Sequence, residues 1–262
     1  MKPKQSINDV KHVLVGGIKT ACLSRADLTD LMVEDCRSRR ESNYNPALIF
    51  DSNGHGLSLA ASNKAFKTNL HKADIIHADG GIIVTAANKM TDGNIGDRSS
   101  TTDYFHDAAK AAVANNLTFY LLGATEEVNH KCYNILKEQY SELKIIGRRN
   151  GYFTKEQEDE VCADISSLKP DIVWVGLGKP KEQDFCVRNK HKIDAGWLIT
   201  CGGCYNYVTG DYPRAPLWMQ RSNLEWLHRM VTNPRQLFWR YLTTNPHALF
   251  LIVTKTKKDL LN

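Results

Sequence analysis

The chain has 262 residues, of which 42% are hydrophobic and 24% charged, with a net charge of +5, and this balance is typical of a soluble globular protein. Its longest uninterrupted apolar run, near residues 248–253, is far shorter than the roughly 20 residues that cross a bilayer, so we expect no transmembrane helix. No apolar run follows the first residues, so we also expect no secretory signal.

Short β-rich runs alternate with longer helical patterns along the first 210 residues. Apolar and β-branched runs predict strands at 12–16, 47–50, 74–77, 118–123, 144–147, 171–176 and 196–201. Helical periodicity predicts helices at 25–39, 57–70, 102–114, 126–140, 155–168 and 181–192. This order predicts an α/β fold with a largely parallel, Rossmann-like sheet flanked by helices.

From about Asp211 the pattern becomes all helical, so we divide the chain into an α/β body (1–210) and a helical C-terminal appendage (211–262). The appendage holds eight basic and three acidic side chains, whereas the body is neutral overall. A basic segment of this kind predicts an anionic partner. Anionic lipid, a diphosphate and nucleic acid all fit this charge, and the interleaved Leu, Phe, Trp and Met residues favour a membrane surface. We expect the body to fold without it.

Seven cysteines are scattered along the chain without the spacing of a disulfide framework, which is typical of a reducing cytoplasm. Cys201 and Cys204 have the spacing of a redox motif but follow an apolar run and lack a second Cys/His pair. Packing of small residues is the favoured interpretation, and redox or metal chemistry is the alternative.

Polar residues follow three predicted strands at the edge where parallel sheets bind ligands. Asp51 and Asn53 end one strand, and Asp79 ends the next beside two glycines that allow close approach of a ligand. A glycine-rich turn at 176–180 leads into a helix whose N-terminus favours anions. A single aspartate at a strand tip is more often a cap or turn residue than a catalyst.

The densest pattern lies near the C-terminus. It comprises Gly-Gly at 202–203, R-A-P-x-W at 214–218, L-E-W-x-x-R at 224–229, Pro-Arg at 234–235 and Arg-Tyr at 240–241. This pattern closely resembles the C-terminal signature of the WecG/TagA/CpsF glycosyltransferases. The resemblance extends to a D-G element at Asp79, a G-x-G-x-P turn at 176–180, and an R-x-x-G-x-D element at 98–103 in which Thr101 replaces the glycine.

The resemblance implies roles for individual residues. Asp79 corresponds to the family's proposed general base, and Arg98 joins it as a catalytic candidate. The chain has no Asp-x-Asp motif, so we expect neither a metal nor another cofactor, with arginines stabilising the diphosphate instead. The substrate-binding candidates are Asp51, Asn53, Gly80, Asp103, Gly176, Gly178, Pro180, Glu182, Gln183, Arg214, Arg229, Arg235 and Arg240.

Four further positions depart from the family pattern, all near the expected donor pocket. Asp51 stands where relatives usually carry threonine, and Glu182-Gln183 reverses their usual Gln-Glu order. Ile82 stands where they usually carry Gly or Pro. These changes leave the donor sugar open.

The activity that the resemblance implies is inverting, metal-independent transfer of a sugar from a UDP-sugar to an undecaprenyl-diphosphate-linked acceptor. N-acetylmannosamine, its uronate or a related hexose would be the sugar. The protein would act in cell-surface polysaccharide synthesis, cytoplasmic and peripheral on the inner membrane face, with self-association left open and no nucleic-acid partner. The alternatives are a non-catalytic nucleotide- or lipid-binding relative, and a nicotinamide oxidoreductase, for which a G-x-G-x-x-G after the first strand is missing.

Overall fold

The computed structural model describes residues 6–40 and 45–261 of the chain. The strands in this part are β1 (His12–Val15), β2 (Ile18–Ala21), β3 (Ala47–Ser52), β4 (Ile75–Ala78), β5 (Thr118–Gly123), β6 (Lys144–Arg149), β7 (Ile172–Gly176), β8 (Trp197–Thr200) and β9 (Lys257–Leu261).

The helices of the body are α1 (Arg25–Arg40), α2 (Gly54–Ser62), α3 (Lys64–Leu70), α4 (Gly81–Met90), α5 (Thr101–Asn115), α6 (Glu126–Gln139), α7 (Glu158–Leu168), α8 (Lys181–Asn189) and α9 (Cys204–Val208). The appendage contributes α10 (Leu217–Arg221), α11 (Glu225–Thr232) and α12 (Pro234–Lys255). Short 3₁₀ turns lie at Ile7–Asp9 and Lys155–Gln157. None of the helices in the described residues is both long and apolar enough to cross a membrane.

Six strands form one sheet in the order β4-β3-β8-β7-β5-β6, and every neighbouring pair is parallel. The predicted α/β class is therefore confirmed. Strand β7 is buried along its whole length, as its apolar sequence predicts for a strand covered on both faces. Helices α1, α5, α6 and α9 pack on one face of the sheet, and α2, α3, α4, α7, α8 and α12 pack on the other.

The predicted strands and body helices are all present, with three additions and one division. Strand β2 follows β1 after a tight turn in which Gly16 and Gly17 have φ of 58° and 87°. Helices α4 and α9 also went unpredicted. Asn63 divides the helix predicted at 57–70, because its side chain accepts a hydrogen bond from the Phe66 amide and starts α3.

The expectation that everything after residue 211 is helical is wrong at its end. Strand β9 pairs antiparallel with β1 in a second sheet of three strands, in which β1 lies between β2 and β9. The Thr256 hydroxyl, just before β9, accepts a hydrogen bond of 3.1 Å from the Gly16 amide. The appendage is thus joined to the body by a strand pairing that its basic, lysine-rich sequence did not predict.

Helix α12 also shares the body's hydrophobic core. Ala248, Leu251 and Ile252 are buried in the same cluster as Leu48 and Phe50 of β3. Pro246 interrupts the hydrogen-bond ladder of α12 just before these residues. A cut at residue 211 would therefore divide residues that pack together, which weighs against a body that folds alone.

Candidate active site

The carboxyl ends of β3, β4, β7 and β8 meet at one edge of the sheet, because β3 lies between β4 and β8, and β8 lies next to β7. The turn after β4 is fastened to β3, since the Asp79 and Gly80 amides donate to the Ser52 carbonyl at 3.0 and 3.1 Å. Asp79 and Gly80 therefore lie directly beside Asn53. The topology brings the predicted strand-tip residues together.

The Asp79 carboxylate is held at both oxygens. Asn53 Nδ2 donates to Oδ2 at 3.0 Å, and the Thr101 amide at the start of α5 donates to Oδ1 at 2.8 Å. Burial by itself raises the pKa of Asp79, but these hydrogen bonds and the nearby Lys179 charge outweigh it and lower that pKa. A raised pKa favours a general base, but the surroundings of Asp79 lower its pKa, so Asp79 is an ionised, oriented acceptor.

Asp51 and Lys179 form an ion pair beside Asp79. Lys179 Nζ contacts Asp51 Oδ2, and Asn53 Nδ2 donates to the same oxygen at 2.9 Å. Asn53 Oδ1 accepts from the Gly56 amide at 2.9 Å and so caps α2. We had not selected Lys179, although a lysine inside the G-x-G-x-P turn was the signal for it.

Glu182 and Gln183, at the start of α8, are both fully buried. The Glu182 carboxylate accepts the Gly178 amide at 2.9 Å and the Gly202 amide at 3.0 Å, which ties together the turns after β7 and β8. Burial raises the pKa of Glu182 to about 7, although Lys179 opposes the rise. Glu182 therefore supports the two turns, and the substrate contact expected of Glu182 and Gln183 stays a prediction.

Gly176 and Pro180 border the same turn. A Cβ on Gly176 would lie 3.0 Å from the Gly202 carbonyl oxygen, so the two turns approach too closely for a larger residue. Gly178 has φ of 77°, a left-handed conformation that favours glycine. Pro180 follows a cis peptide bond and is exposed at the start of α8.

The appendage folds back over this edge of the sheet. Arg98 pairs with Glu225 of α11 at 2.8 Å, and Arg214 pairs with Asp103 of α5 at 2.8 Å. The Asn223 side chain lies over α4, where a Cβ on Gly81 would be 1.6 Å from its Oδ1. Arg98 and Asp103 are therefore occupied by contacts that hold the appendage in place.

Arg229 and Arg240 are held mainly by aromatic rings. The Arg229 guanidinium lies 5.1 Å from the centre of the Tyr207 ring, and Arg240 lies 5.0 Å from that of Tyr241. Arg229 is close enough to Asp79 for the charge of the carboxylate to favour the protonated guanidinium. Arg235 is exposed in the first turn of α12.

His55 and His77 also lie at this edge and went unselected. Burial, together with the charges of Lys179 and Arg240, lowers the pKa of His55 to about 4. His77 lies beside Asp51 in the sheet, and its Nδ1 is 2.9 Å from the Ser99 hydroxyl. Burial lowers its pKa as well, so both imidazoles are neutral at pH 7. The sequence signal was their position at the same strand ends.

The cysteines take no part in this arrangement. Cys201 and Cys204 are buried free thiols, and burial raises the pKa of each well above its ordinary value, so neither is a thiolate at pH 7. The packing interpretation of this pair is the one that the structure supports. Across residues 6–40 and 45–261, no group of three or more His, Cys, Asp or Glu side chains is placed to hold a metal ion.

Comparison with known proteins agrees with the geometry. The model of the glycosyl transferase WecG/TagA/CpsF family matches residues 13–260. An N-acetylglucosaminyldiphosphoundecaprenol N-acetyl-beta-D-mannosaminyltransferase of Bacillus subtilis (strain 168) is 26% identical over 82% of this chain and 79% of its own length. The enzyme of the same name from Bacillus spizizenii is 27% identical over 87% and 89%, and that of Staphylococcus aureus (strain MRSA252) is 25% identical over 74% and 75%.

Fold, site and family match together define the protein as a glycosyltransferase, and the oxidoreductase alternative is excluded. The chain belongs to the WecG/TagA/CpsF family.

Proposed function

We propose that the protein transfers N-acetylmannosamine, or a closely related sugar, from its UDP-sugar to an undecaprenyl-diphosphate-linked acceptor in cell-surface polysaccharide synthesis. The names of the relatives support the acceptor class and the sugar. The observation that carries the proposal is the ionised Asp79 carboxylate, fixed at a strand tip by Asn53 and Thr101 and lying near Arg229 of the appendage.

In this mechanism Asp79 is the general base. The acceptor hydroxyl attacks the anomeric carbon of the donor while its proton passes to Asp79. The bond from that carbon to the UDP oxygen breaks on the opposite side, and the diphosphate takes the electron pair. One displacement of this kind inverts the configuration. An ionised Asp79 can accept the proton. Its transfer becomes favourable because the acceptor hydroxyl grows more acidic as its oxygen bonds to the anomeric carbon.

Arginines stabilise the leaving diphosphate in this proposal, without a metal ion. Arg98 and Arg214 are each paired with a carboxylate, whereas Arg229 and Arg240 rest on aromatic rings. Guanidinium groups held in this way keep their N–H donors for phosphate oxygens. We assign the diphosphate to Arg229 and Arg240, with Arg235 at the rim.

The appendage would bring the site to the inner face of the membrane. Exposed apolar side chains form one stripe along α12, made by Trp239, Leu242, Leu249, Phe250 and Val253. Leu217 and Trp218 of α10 are exposed as well. With the basic excess of residues 211–262, this stripe suits an anionic lipid surface, where the polyprenyl acceptor is found.

Release of UDP from a panel of UDP-sugars, with and without a polyprenyl-diphosphate-N-acetylglucosamine acceptor, tests the proposal. We expect the highest rate with UDP-N-acetylmannosamine, strict dependence on the acceptor, an inverted product by NMR, and full activity in EDTA. Loss of activity in EDTA that Mn²⁺ restores would contradict the metal-free mechanism. Binding of UDP without release from any donor would favour the non-catalytic alternative.

A further inference from the structure

A chain of hydrogen bonds links Lys179 to the proposed base. Lys179 Nζ contacts Asp51 Oδ2, and the Asn53 amide donates to that same oxygen and to Asp79 Oδ2. The Lys179 and Asp51 side chains are only 10% and 5% exposed. Polar contacts so shielded from water are strong and directional, so each member constrains the next.

We propose that Asp51 and Lys179 are positioning residues, which fix the Asn53 amide so that it holds the Asp79 carboxylate in its reactive orientation. The inference rests on the proposed function, since it takes Asp79 as the base. Both N–H groups of Asn53 are engaged by carboxylates, and its oxygen accepts the Gly56 amide. The amide therefore has one orientation, which Asp51 and the start of α2 impose.

Asp51 and Lys179 are both needed, because each one balances the effect that the charge of the other has on Asp79. Lys179 also lies within electrostatic reach of Asp79 and Glu182. Without Asp51, its ammonium would be drawn to Asp79 and would occupy the oxygen that has to accept a proton. Without Lys179, Asp51 would be a second carboxylate facing Asp79 through one amide. The threonine that relatives usually carry at the position of Asp51 is uncharged and needs no lysine partner.

The test compares Lys179→Met, Asp51→Asn and the double variant with the wild-type protein. Lys190→Met is the matched control, because Lys190 pairs with Asp74 at 3.0 Å at the opposite, amino end of β4. Carboxyl ¹³C NMR titration of the ligand-free proteins measures the pKa of Asp79 directly. We expect that pKa to rise in Lys179→Met, to fall in Asp51→Asn, to return towards the wild-type value in the double variant, and to stay unchanged in the control.

Steady-state kinetics supply the second measurement. Each single variant should lose about tenfold or more in kcat, with the KM for the donor within about twofold, because misplacement of the base affects the reaction more than binding. The double variant should recover most of kcat. If Lys179→Met does not fold, Asp51→Asn and the double variant still decide the question.

An unchanged Asp79 titration, with kcat within about twofold in Asp51→Asn, would overturn the proposal and leave the pair a purely structural contact. A failure of the proposed function has a different signature. In that case Asp79→Asn would keep its activity, while the titration of Asp79 would still respond to Lys179 and Asp51.

Discussion

At the scale of single residues, the site depends on carboxylates that play opposite parts. Asp79 is kept ionised by hydrogen bonds from Asn53 and Thr101, whereas burial raises the pKa of Glu182 to about 7. The charge of Lys179 influences both carboxylates. In the proposed mechanism Asp79 takes a proton from the acceptor, whereas Glu182 supports the turns after β7 and β8.

Replacement of the base should stop the reaction without unfolding the protein. Asp79→Asn keeps an acceptor for the Thr101 amide but removes the charge, so we expect kcat to fall by about 10²- to 10⁴-fold with UDP affinity within about threefold. Acceptor-dependent UDP release and calorimetric titration with UDP measure the two quantities. Asp97→Asn is the control, because Asp97 is exposed and its bond to the Arg25 amide survives the change. Turnover within threefold of wild type would remove Asp79 from this role.

Glu182 should leave a mark on the pH dependence of stability. The unfolded chain loses this proton near the ordinary value of 4.5, whereas the folded chain keeps it up to about 7. The contribution of Glu182 to the free energy of unfolding therefore falls as pH rises between these values, by about 3 kcal/mol at most. Burial lowers the pKa of both His12 and His55 to about 4, which gives the opposite slope in an overlapping range.

The measurement is therefore a difference. The free energy of unfolding of Glu182→Gln minus that of wild type should rise between pH 4.5 and 7 and then level off. The glutamine oxygen still accepts from the Gly178 and Gly202 amides, so the fold is retained. The exposed Glu142→Gln serves as control. If the difference in free energy of unfolding did not change across this range, the pKa of Glu182 would not be raised in the folded protein.

At the scale of elements, apolar runs and glycines predicted the sheet well. Strand β7 is apolar from end to end and stops at Gly176, and its tip belongs to the site, as expected for a parallel sheet. Strand β9 was missed because its sequence, Lys-Lys-Asp-Leu-Leu, has no strand periodicity and forms only against β1. Local sequence cannot specify such a pairing.

The same limit applies to the site. The strand-tip residues Asp51, Asn53 and Asp79 could be predicted because topology alone brings them together. The pairings of Lys179 with Asp51 and of Glu225 with Arg98 could not, since they join residues 128 and 127 positions apart in the chain. The lowered pKa of Asp79 likewise depends on donors that only the folded chain supplies.

Helix α12 carries a proline whose replacement should stabilise it. Pro246 lacks the N–H that would bond the carbonyl of Leu242, and it is exposed, so Pro246→Ala restores the bond without disturbing the core. We expect a gain in the free energy of unfolding of up to about 3 kcal/mol, visible as a higher Tm. Amide protons of the preceding turn should exchange more slowly. A lower Tm would show that tertiary contacts require the irregular helix.

At the scale of the whole molecule, one segment serves the active site, the core and a surface. Residues 211–261 bring Arg229 near Asp79, bury Ala248 and Leu251, and expose the apolar stripe of α12. Deletion of the appendage would confuse these roles, because it also uncovers the core. Substitutions on the exposed stripe of the intact chain separate them.

Trp239→Ser/Phe250→Ser should weaken membrane binding and leave the fold intact, since the two side chains are 71% and 61% exposed. We expect at least about tenfold weaker co-sedimentation with phosphatidylglycerol vesicles, and binding of wild type that declines with salt. Tyr152→Ser/Leu168→Ser is the control on the body, where both residues are exposed. Equal binding by the stripe variant and the control would place the membrane contact elsewhere.

The antiparallel pairing of β9 with β1 has a mechanical consequence. His12 and Leu261 are partners at the same end of this ladder, so a force that separates them acts on the hydrogen bonds one at a time instead of all together. We therefore expect β9 to separate from β1 one hydrogen bond after another, starting at His12 and Leu261, before the force reaches α12. We expect the parallel sheet, which lies between two layers of helices, to stay intact while the appendage is pulled away from Asp79.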